Sequence, residues 1–222
     1  MNGLLLVNKP LGITSFDVIR RLRRQTGVRK IGHAGTLDPL ASGLMLLMFG
    51  SGCKQAMTYT KLDKSYLAQI TLGATSTTGD GEGEKTVVSD RQPTPEELEI
   101  ALTGLTGEIS QTPPVYSAIK INGQEAYKRA RAGEQVTMPS RLVTVYQNVV
   151  VRYDYPVIEL ESKVSSGTYI RTLAEDLGAI LGTGAYLSGL VRTEVGDFHL
   201  NEALILDEID EAAASQHMRS VD

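Results

Sequence analysis

"IGHAGTLDPLASGLMLLMFG", residues 31–50, decides how this chain is read. Its second half, "GLMLLMFG" (43–50), is a run of apolar residues with no polar alternation, the pattern of a buried strand. Its first half holds one carboxylate, Asp38, one imidazole, His33, and the turn formers Gly32, Gly35 and Pro39. Glycine permits backbone conformations closed to other residues, and Pro39 turns Asp38 away from the α region. Taken alone, "LDP" is an Asx-type turn. Placed at the mouth of a buried strand, it is also a loop where desolvation and a cationic partner can tune a carboxylate.

Working outward, 222 residues suit one large domain, or one domain with an insertion, without a disulfide or metal staple. Cys53 is the single cysteine, so neither a disulfide framework nor a cysteine-rich zinc site exists. The start, "MNGLLLVNKP", lacks the pattern of a signal peptide, and the longest apolar run is far short of a membrane span. A cytoplasmic protein with no membrane attachment is expected. The net charge is −4, yet the signs are segregated. Residues 20–30 carry five Arg and one Lys with no acid, and a second basic stretch holds Lys120, Lys128, Arg129, Arg131 and Arg141. Two basic patches on a weakly acidic chain can bind phosphates.

"LLLV" (4–7) reads as a short buried strand. "SFDVIRRLRRQTG" reads as a helix with Ser15 as N-cap, Val18, Ile19 and Leu22 on its inner face and Gly27 as its stop. Arg20, Arg21 and Arg24 fall together on the other side, either a solvated face or a phosphate contact. "SYLAQITLGA" (65–74) alternates as a strand with Tyr66, Ala68, Ile70 and Leu72 on one face. "TPEELEIALTGLTG" opens a helix with a Thr94 cap, Pro95 at the first position and Glu97 closing a capping box. Residues 111–136 are basic, interleave two Tyr and hold few core-forming runs, as an exposed insertion would. "VIELESKV" reads as a strand, and the helix after it carries an apolar stripe of Ile170, Leu173, Ala174, Leu177 and Ile180. Strands and helices mix without a regular βαβ beat, which predicts an α+β fold with a mixed sheet.

No metal-ligand spacing links His33, His199 and His217, and no nucleotide-binding glycine pattern is present. No cofactor is expected. A lone carboxylate with an Arg counter-ion points to nucleophilic attack or ion stabilisation at a sugar carbon. Tyr66, Tyr169 and Arg171 are candidates to complete a site. Each also has a plain structural reading: Tyr66 as a half-buried strand aromatic, Arg171 as a partner of Glu175 at i+4.

Taken together, "NKPLGITSFDVI", "KIGHAGTLDPLASGLM", "KSYLAQITLGATSTTGD", "PPVYSAIKINGQEAYKRAR", "SSGTYIRTLAEDLG" and "LVRTEVGDF" resemble, in order, the tRNA pseudouridine-55 synthases of the TruB type. The match runs from about residue 3 to residue 200. The resemblance implies a pseudouridine synthase fold: a mixed, largely antiparallel sheet, flanking helices and an RNA-clamping insertion over 111–141. It implies isomerisation of uridine to pseudouridine in the T-loop of tRNA, with Asp38 as the catalytic carboxylate, Arg171 as its cationic partner and Tyr66 stacked on the target base. Asp38 could attack the sugar, stabilise positive character at C1′, or remove a sugar proton. By the same resemblance His33 helps hold the opened loop, Tyr169 and Leu190 line the uracil pocket, and Lys9–Pro10 serve packing near the site. Arg20, Arg21, Arg24, Lys120, Lys128, Arg129 and Arg131 are the candidate RNA contacts.

Residues 1–205 are expected to form the catalytic domain and 206–222 an acidic tail without the C-terminal PUA domain of the usual bacterial members. The expected partner is the T-arm of tRNA, with no obligatory protein partner and a monomeric state. A guide-RNA-dependent relative, a non-catalytic RNA binder or tRNA-folding chaperone, and a glycosidase are the alternatives. The last lacks a second carboxylate, and a pure binder has no use for Asp38, Tyr66 and Arg171 together.

Overall fold

A computed structural model describes residues 1–117, 119–121 and 123–221, excluding the side chains of Lys120, Glu125, Tyr127 and Arg131. In chain order the first elements are β1 (Gly3–Lys9), α1 (Ser15–Thr26), β2 (Ile31–His33), β3 (Ala41–Phe49), α2 (Ala56–Thr60) and β4 (Lys64–Leu72). Then come β5 (Ala74–Ser76), β6 (Lys85–Val87), α3 (Pro95–Gly104), β7 (Gly107–Gln111), β8 (Lys120–Ile121), β9 (Gln124–Glu125) and α4 (Ala126–Arg131). The last are β10 (Arg141–Asp154), β11 (Val157–Val164), α5 (Ile170–Leu181), β12 (Ala185–Val195), β13 (Phe198–His199), β14 (Leu204–Ile205) and α6 (Glu211–Gln216). The chain divides into two compact units, Met1–Leu67 with Leu190–Asp222, and Ala68–Gly189.

In the first unit the strands run in the order β14-β1-β3-β12. β1 lies antiparallel to β3 from Gly3↔Phe49 to Lys9↔Gly43, whereas β12 is parallel to β3 from Leu190↔Ala41 to Arg192↔Gly43. β2 pairs antiparallel with the far end of β3, His33 opposite Leu47. The sheet is therefore mixed, as expected. β3 is unbroken in its apolar run because both its faces are covered. Met45, Leu47 and Phe49 pack with Val18, Ile19 and Leu22 of α1, while Leu44, Leu46 and Met48 pack with Leu4, Leu6 and Val195. Each such side chain, fully buried, contributes about 1.5–3 kcal/mol.

α1 starts one residue earlier in its capping than the sequence reading has it. Thr14, not Ser15, is the N-cap: its hydroxyl accepts from the Asp17 N–H and the Asp17 carboxylate accepts from the Thr14 N–H. Gly27 ends the helix in the left-handed region, as its sequence predicts. The acidic segment after residue 205 belongs to the core of this unit. Leu206, Ile209 and Ala214 are buried in the cluster that holds α1, and Leu4 and Arg219 exchange backbone hydrogen bonds of 2.9 Å.

In the second unit the order is β4-β11-β10-β7, with β10 antiparallel to both β11 and β7. α3 has the Thr94 cap, the Glu97 capping box and the early proline that its sequence predicts. α5 buries Ile170, Leu173, Ala174 and Leu177, but Ile180 is 54% exposed and Leu181 takes the inner position instead. The i+4 step from Leu177, rather than the i+3 step, stays on the buried face as the helix turns. The basic insertion over 111–141 contains the short β8–β9 pair and α4.

Candidate active site

Asp38 sits on the turn between β2 and β3, half-buried, and the backbone on each side of it is tied down. Leu37 is buried, and its N–H donates to the Ser15 hydroxyl at 2.8 Å while that hydroxyl donates to the Leu37 carbonyl at 2.9 Å. The Gly12 N–H donates to the Pro39 carbonyl at 2.8 Å, and the Ala41 N–H to the Asp38 carbonyl at 3.0 Å. Gly35 takes φ of +89°, a left-handed value that glycine adopts without strain. The turn is thus a fixed platform for one carboxylate, and a side chain on fixed backbone can be aimed.

Beneath it lie cations that the sequence reading did not assemble. Lys9 is buried, its ammonium donating to the carbonyls of Pro10 at 3.0 Å and Ile13 at 2.7 Å. Burial pushes its pKa down to about 8, Asp38 opposes that fall, and Arg192 adds to it. Lys64 is also buried, donating to Thr60 and Leu62 carbonyls at 2.7 and 2.5 Å, and desolvation followed by Arg192 lowers it to about 8. Arg192, 1% exposed, donates through Nε to the Leu44 carbonyl at 2.7 Å and through Nη2 to the Gly35 carbonyl at 3.2 Å. The nearby Tyr66 phenol opposes the lowering of its pKa that burial causes. Burial and Arg192 hold the His33 imidazole below its ordinary pKa, favouring the neutral ring. Positive charge gathered in a dry interior favours an anion at its mouth, whether a side chain or a phosphate.

Of the candidate residues, Asp38, His33, Tyr66 and Leu190 therefore fall in the first unit. Tyr66 and Leu190 pack, half-buried, on the same core cluster as Leu37. Tyr169 and Arg171 belong to the second unit. Tyr169 precedes α5, exchanging hydrogen bonds of 2.8 and 3.0 Å with the Gln111 amide, and the Arg141 guanidinium lies 5.2 Å over its ring. Arg171 pairs with Asp80 at 3.3 Å, both side chains buried, and also donates to the carbonyls of Thr78 at 3.3 Å and Tyr116 at 2.8 Å. Asp80 in turn accepts from the Thr78 hydroxyl at 2.6 Å and the Glu82 N–H at 3.0 Å. It was missed because "TTGDGEG" reads as an acidic surface loop. Its flanking glycines were the available signal, since they let a carboxylate turn inward.

Among the basic candidates, Arg20 pairs with Asp17, Arg21 pairs with Asp207 at 2.6 Å, and Arg24 is exposed. Arg23, absent from the sequence-based set, is also exposed and lies 6.0 Å over the ring of Phe16, itself exposed. With Ile13 and Asp17 these four arginines line a surface groove. In the insertion Lys128 is exposed and Arg129 pairs with Glu134 at 2.6 Å. The candidate side chains of Lys120 and Arg131 lie outside the described residues.

Solved structures share this architecture. A chain in the crystal structure of a Cbf5–Nop10–Gar1 complex superposes with TM-score 0.74 and 26% identity, covering 93% of this chain and 53% of that one. The Nop10–Cbf5 complex of an archaeal box H/ACA sRNP shares the fold at TM-score 0.72 and 22% identity, covering 96% and 54%. The chain spans about half the length of those two. The model of the TruB family pseudouridylate synthase N-terminal domain matches residues 23–170, and that of the tRNA pseudouridylate synthase B C-terminal domain matches residues 171–221. Curated relatives named tRNA pseudouridine synthase B include one from Cupriavidus metallidurans, 46% identical over 217 residues, covering 96% of this chain and 68% of the relative. Another, from Geobacillus thermodenitrificans, is 40% identical over 222 residues, covering 96% and 74%. The chain belongs to the TruB family of pseudouridylate synthases.

Proposed function

We propose that this chain isomerises uridine to pseudouridine in tRNA, at position 55 of the T-loop, working in the cytoplasm as a monomer without an obligatory protein partner. The observation that carries the reading is the anchored turn bearing Asp38, whose Gly35 carbonyl accepts from the buried Arg192 guanidinium. Breaking the N1–C1′ bond leaves positive character at C1′, and the uracil must turn and rejoin through C5. A carboxylate held at the sugar can attack C1′, stabilise it, or take a sugar proton. Asp38 has that role in this reading. In the same reading Arg171 is the cationic partner of that carboxylate, Tyr66 is the ring stacked on the base, and Tyr169 and Leu190 line the pocket.

The target base has to leave its loop, at a cost of about a few kcal/mol. His33 holds the opened loop by stacking. Arg20, Arg21, Arg24, Lys120, Lys128, Arg129 and Arg131 supply the phosphate contacts by which folded RNA is held. Position-resolved mapping of pseudouridine in tRNA treated with the protein tests the substrate: a single new site in the T-loop supports the reading, and no pseudouridine ends it. Asp38→Asn tests the carboxylate. Tritium release from C5-labelled tRNA is expected to fall more than about 1,000-fold while tRNA binding stays near wild type. Release at the wild-type rate would remove Asp38 from its role.

A further inference from the structure

Phe16 stands on the outer face of α1 with 56% of its surface exposed. The same helix sets two guanidinium groups beside it: Arg20 Cζ lies 5.9 Å from the ring centroid and Arg23 Cζ 6.0 Å. Positions 16, 20 and 23 form one stripe of a helix. Both arginines, with Arg21 and Arg24, line a groove of about 580 Å³. Arg23 and Arg24 have no carboxylate partner among the described residues. A lone exposed ring needs no explanation. A ring flanked by cations, at a groove that two uncompensated arginines keep positive, does. The stripe also starts close to Asp38. The Ser15 hydroxyl donates to the Leu37 carbonyl at 2.9 Å, so the Cα atoms of Phe16 and Asp38 are no more than about 16 Å apart.

We propose that Phe16 is a stacking platform for an unpaired base of the RNA substrate, with Arg23 and Arg24 on the phosphates beside it. The inference rests on the isomerase reading above for the identity of that RNA, and it adds a contact outside the reacting nucleotide. Nucleotides advance about 3.4 Å each even when stacked, so a strand with one residue at Asp38 reaches Phe16 within about five. An acidic peptide would use the guanidinium groups and leave the ring wet. A protein partner would need an apolar patch much broader than one phenyl group. Single-stranded RNA uses both features, since its bases stack on aromatic faces while its phosphates follow a positive groove. Covering the ring also excludes water from its contacts with Arg20 and Arg23, and cation–π attraction strengthens when desolvated.

The chain has no tryptophan, so Phe16→Trp places a single indole on the platform. Its fluorescence is expected to be quenched by tRNA and to keep its intensity with inorganic polyphosphate, which offers phosphates without bases. Phe16→Ala is expected to weaken tRNA binding roughly 5- to 150-fold, the loss of one stacked base, and to keep the salt slope of wild type because no phosphate contact is given up. Phe16→Leu is expected to lose nearly as much, since it keeps apolar bulk but has no π face. An unquenched indole, equal quenching by polyphosphate, leucine binding like wild type, or a flattened salt slope in Phe16→Ala overturns the proposal. So does a light-scattering mass that halves in Phe16→Ala, which would give the ring to a second copy of the chain. An indole quenched by tRNA, beside a wild type that makes no pseudouridine, would leave the platform standing and defeat the isomerase reading instead.

Discussion

Ser15 and Leu37 exchange two hydrogen bonds: the Leu37 N–H donates to the Ser15 hydroxyl at 2.8 Å and that hydroxyl donates to the Leu37 carbonyl at 2.9 Å. One hydroxyl thereby satisfies both backbone polar groups of a buried residue next to Asp38. Ser15→Ala leaves both unpaired, which costs about 1–3 kcal/mol. The platform under Asp38 loosens with it, and small displacements of a reacting group are costly. Single-turnover kinetics are expected to show a fall of about 10-fold or more, with tRNA affinity kept. A variant that loses stability in urea but turns over like wild type would show that the clamp serves folding alone.

Arg171 and Asp80 form a buried pair, so neutralising Asp80 takes a charged acceptor from a buried guanidinium. Asp80→Asn is expected to lower stability by about 3 kcal/mol, which for a chain of this size is a fall in Tm of roughly 6–12 °C. Glu175 provides the contrast. Burial raises its pKa, so its charge is already disfavoured in the fold, and Glu175→Gln is expected to change Tm much less. Calorimetry of the two variants checks the order. Equal losses would mean that Asp80 contributes no more than an ordinary surface acid.

What the sequence made legible follows from where the signals are local. The continuous apolar run of β3, the Thr94 capping box and the Gly27 stop each depend on a few neighbouring residues, and each stands where it was read. Asp38 was singled out because its loop is so distinctive a string. The buried cations were not. Lys9, Lys64 and Arg192 are 55 to 183 residues apart in sequence, and a lysine or arginine beside an apolar run reads as a charge at the strand's edge until the chain is folded. Ser15 illustrates the same limit. Its type and position suited a helix cap, but Thr14 fills that role, and the Ser15 hydroxyl faces a turn 22 residues away.

Lys9 and Lys64 also set a pH dependence of stability. Each is lowered from 10.5 to about 8 in the fold, chiefly by desolvation. In the unfolded chain both keep their ordinary affinity for protons, so between about pH 8 and pH 10.5 the unfolded state holds more protons than the folded one. Stability therefore rises with pH through that window, and below it the penalty of burying two charged ammonium groups is fully present. Urea midpoints from pH 7 to 10 are expected to climb in wild type and to climb less in Lys64→Met. A wild-type profile that is flat or falling would mean that the two ammonium groups are hydrated in solution.

The last prediction concerns the basic groove along α1, where partners separate four arginines that look alike in sequence. Arg20 and Arg21 are engaged by Asp17 and Asp207, so an arriving phosphate must compete for them. Arg23 and Arg24 have no such carboxylate among the described residues, and Arg23 lies over Phe16 in a way that leaves a ring and a guanidinium side by side on the surface. Each phosphate contact releases counterions, so losing one flattens the plot of log affinity against log salt by roughly 0.7–0.9. Arg23→Gln and Arg24→Gln are each expected to flatten the slope for tRNA binding by about that amount, and Arg20→Gln and Arg21→Gln by less. Asp207→Asn, by releasing Arg21, is expected to steepen it. Filter binding across a salt series measures all five variants. Five slopes identical to wild type would return this helix face to plain solvent exposure and leave the insertion as the main electrostatic contact with RNA.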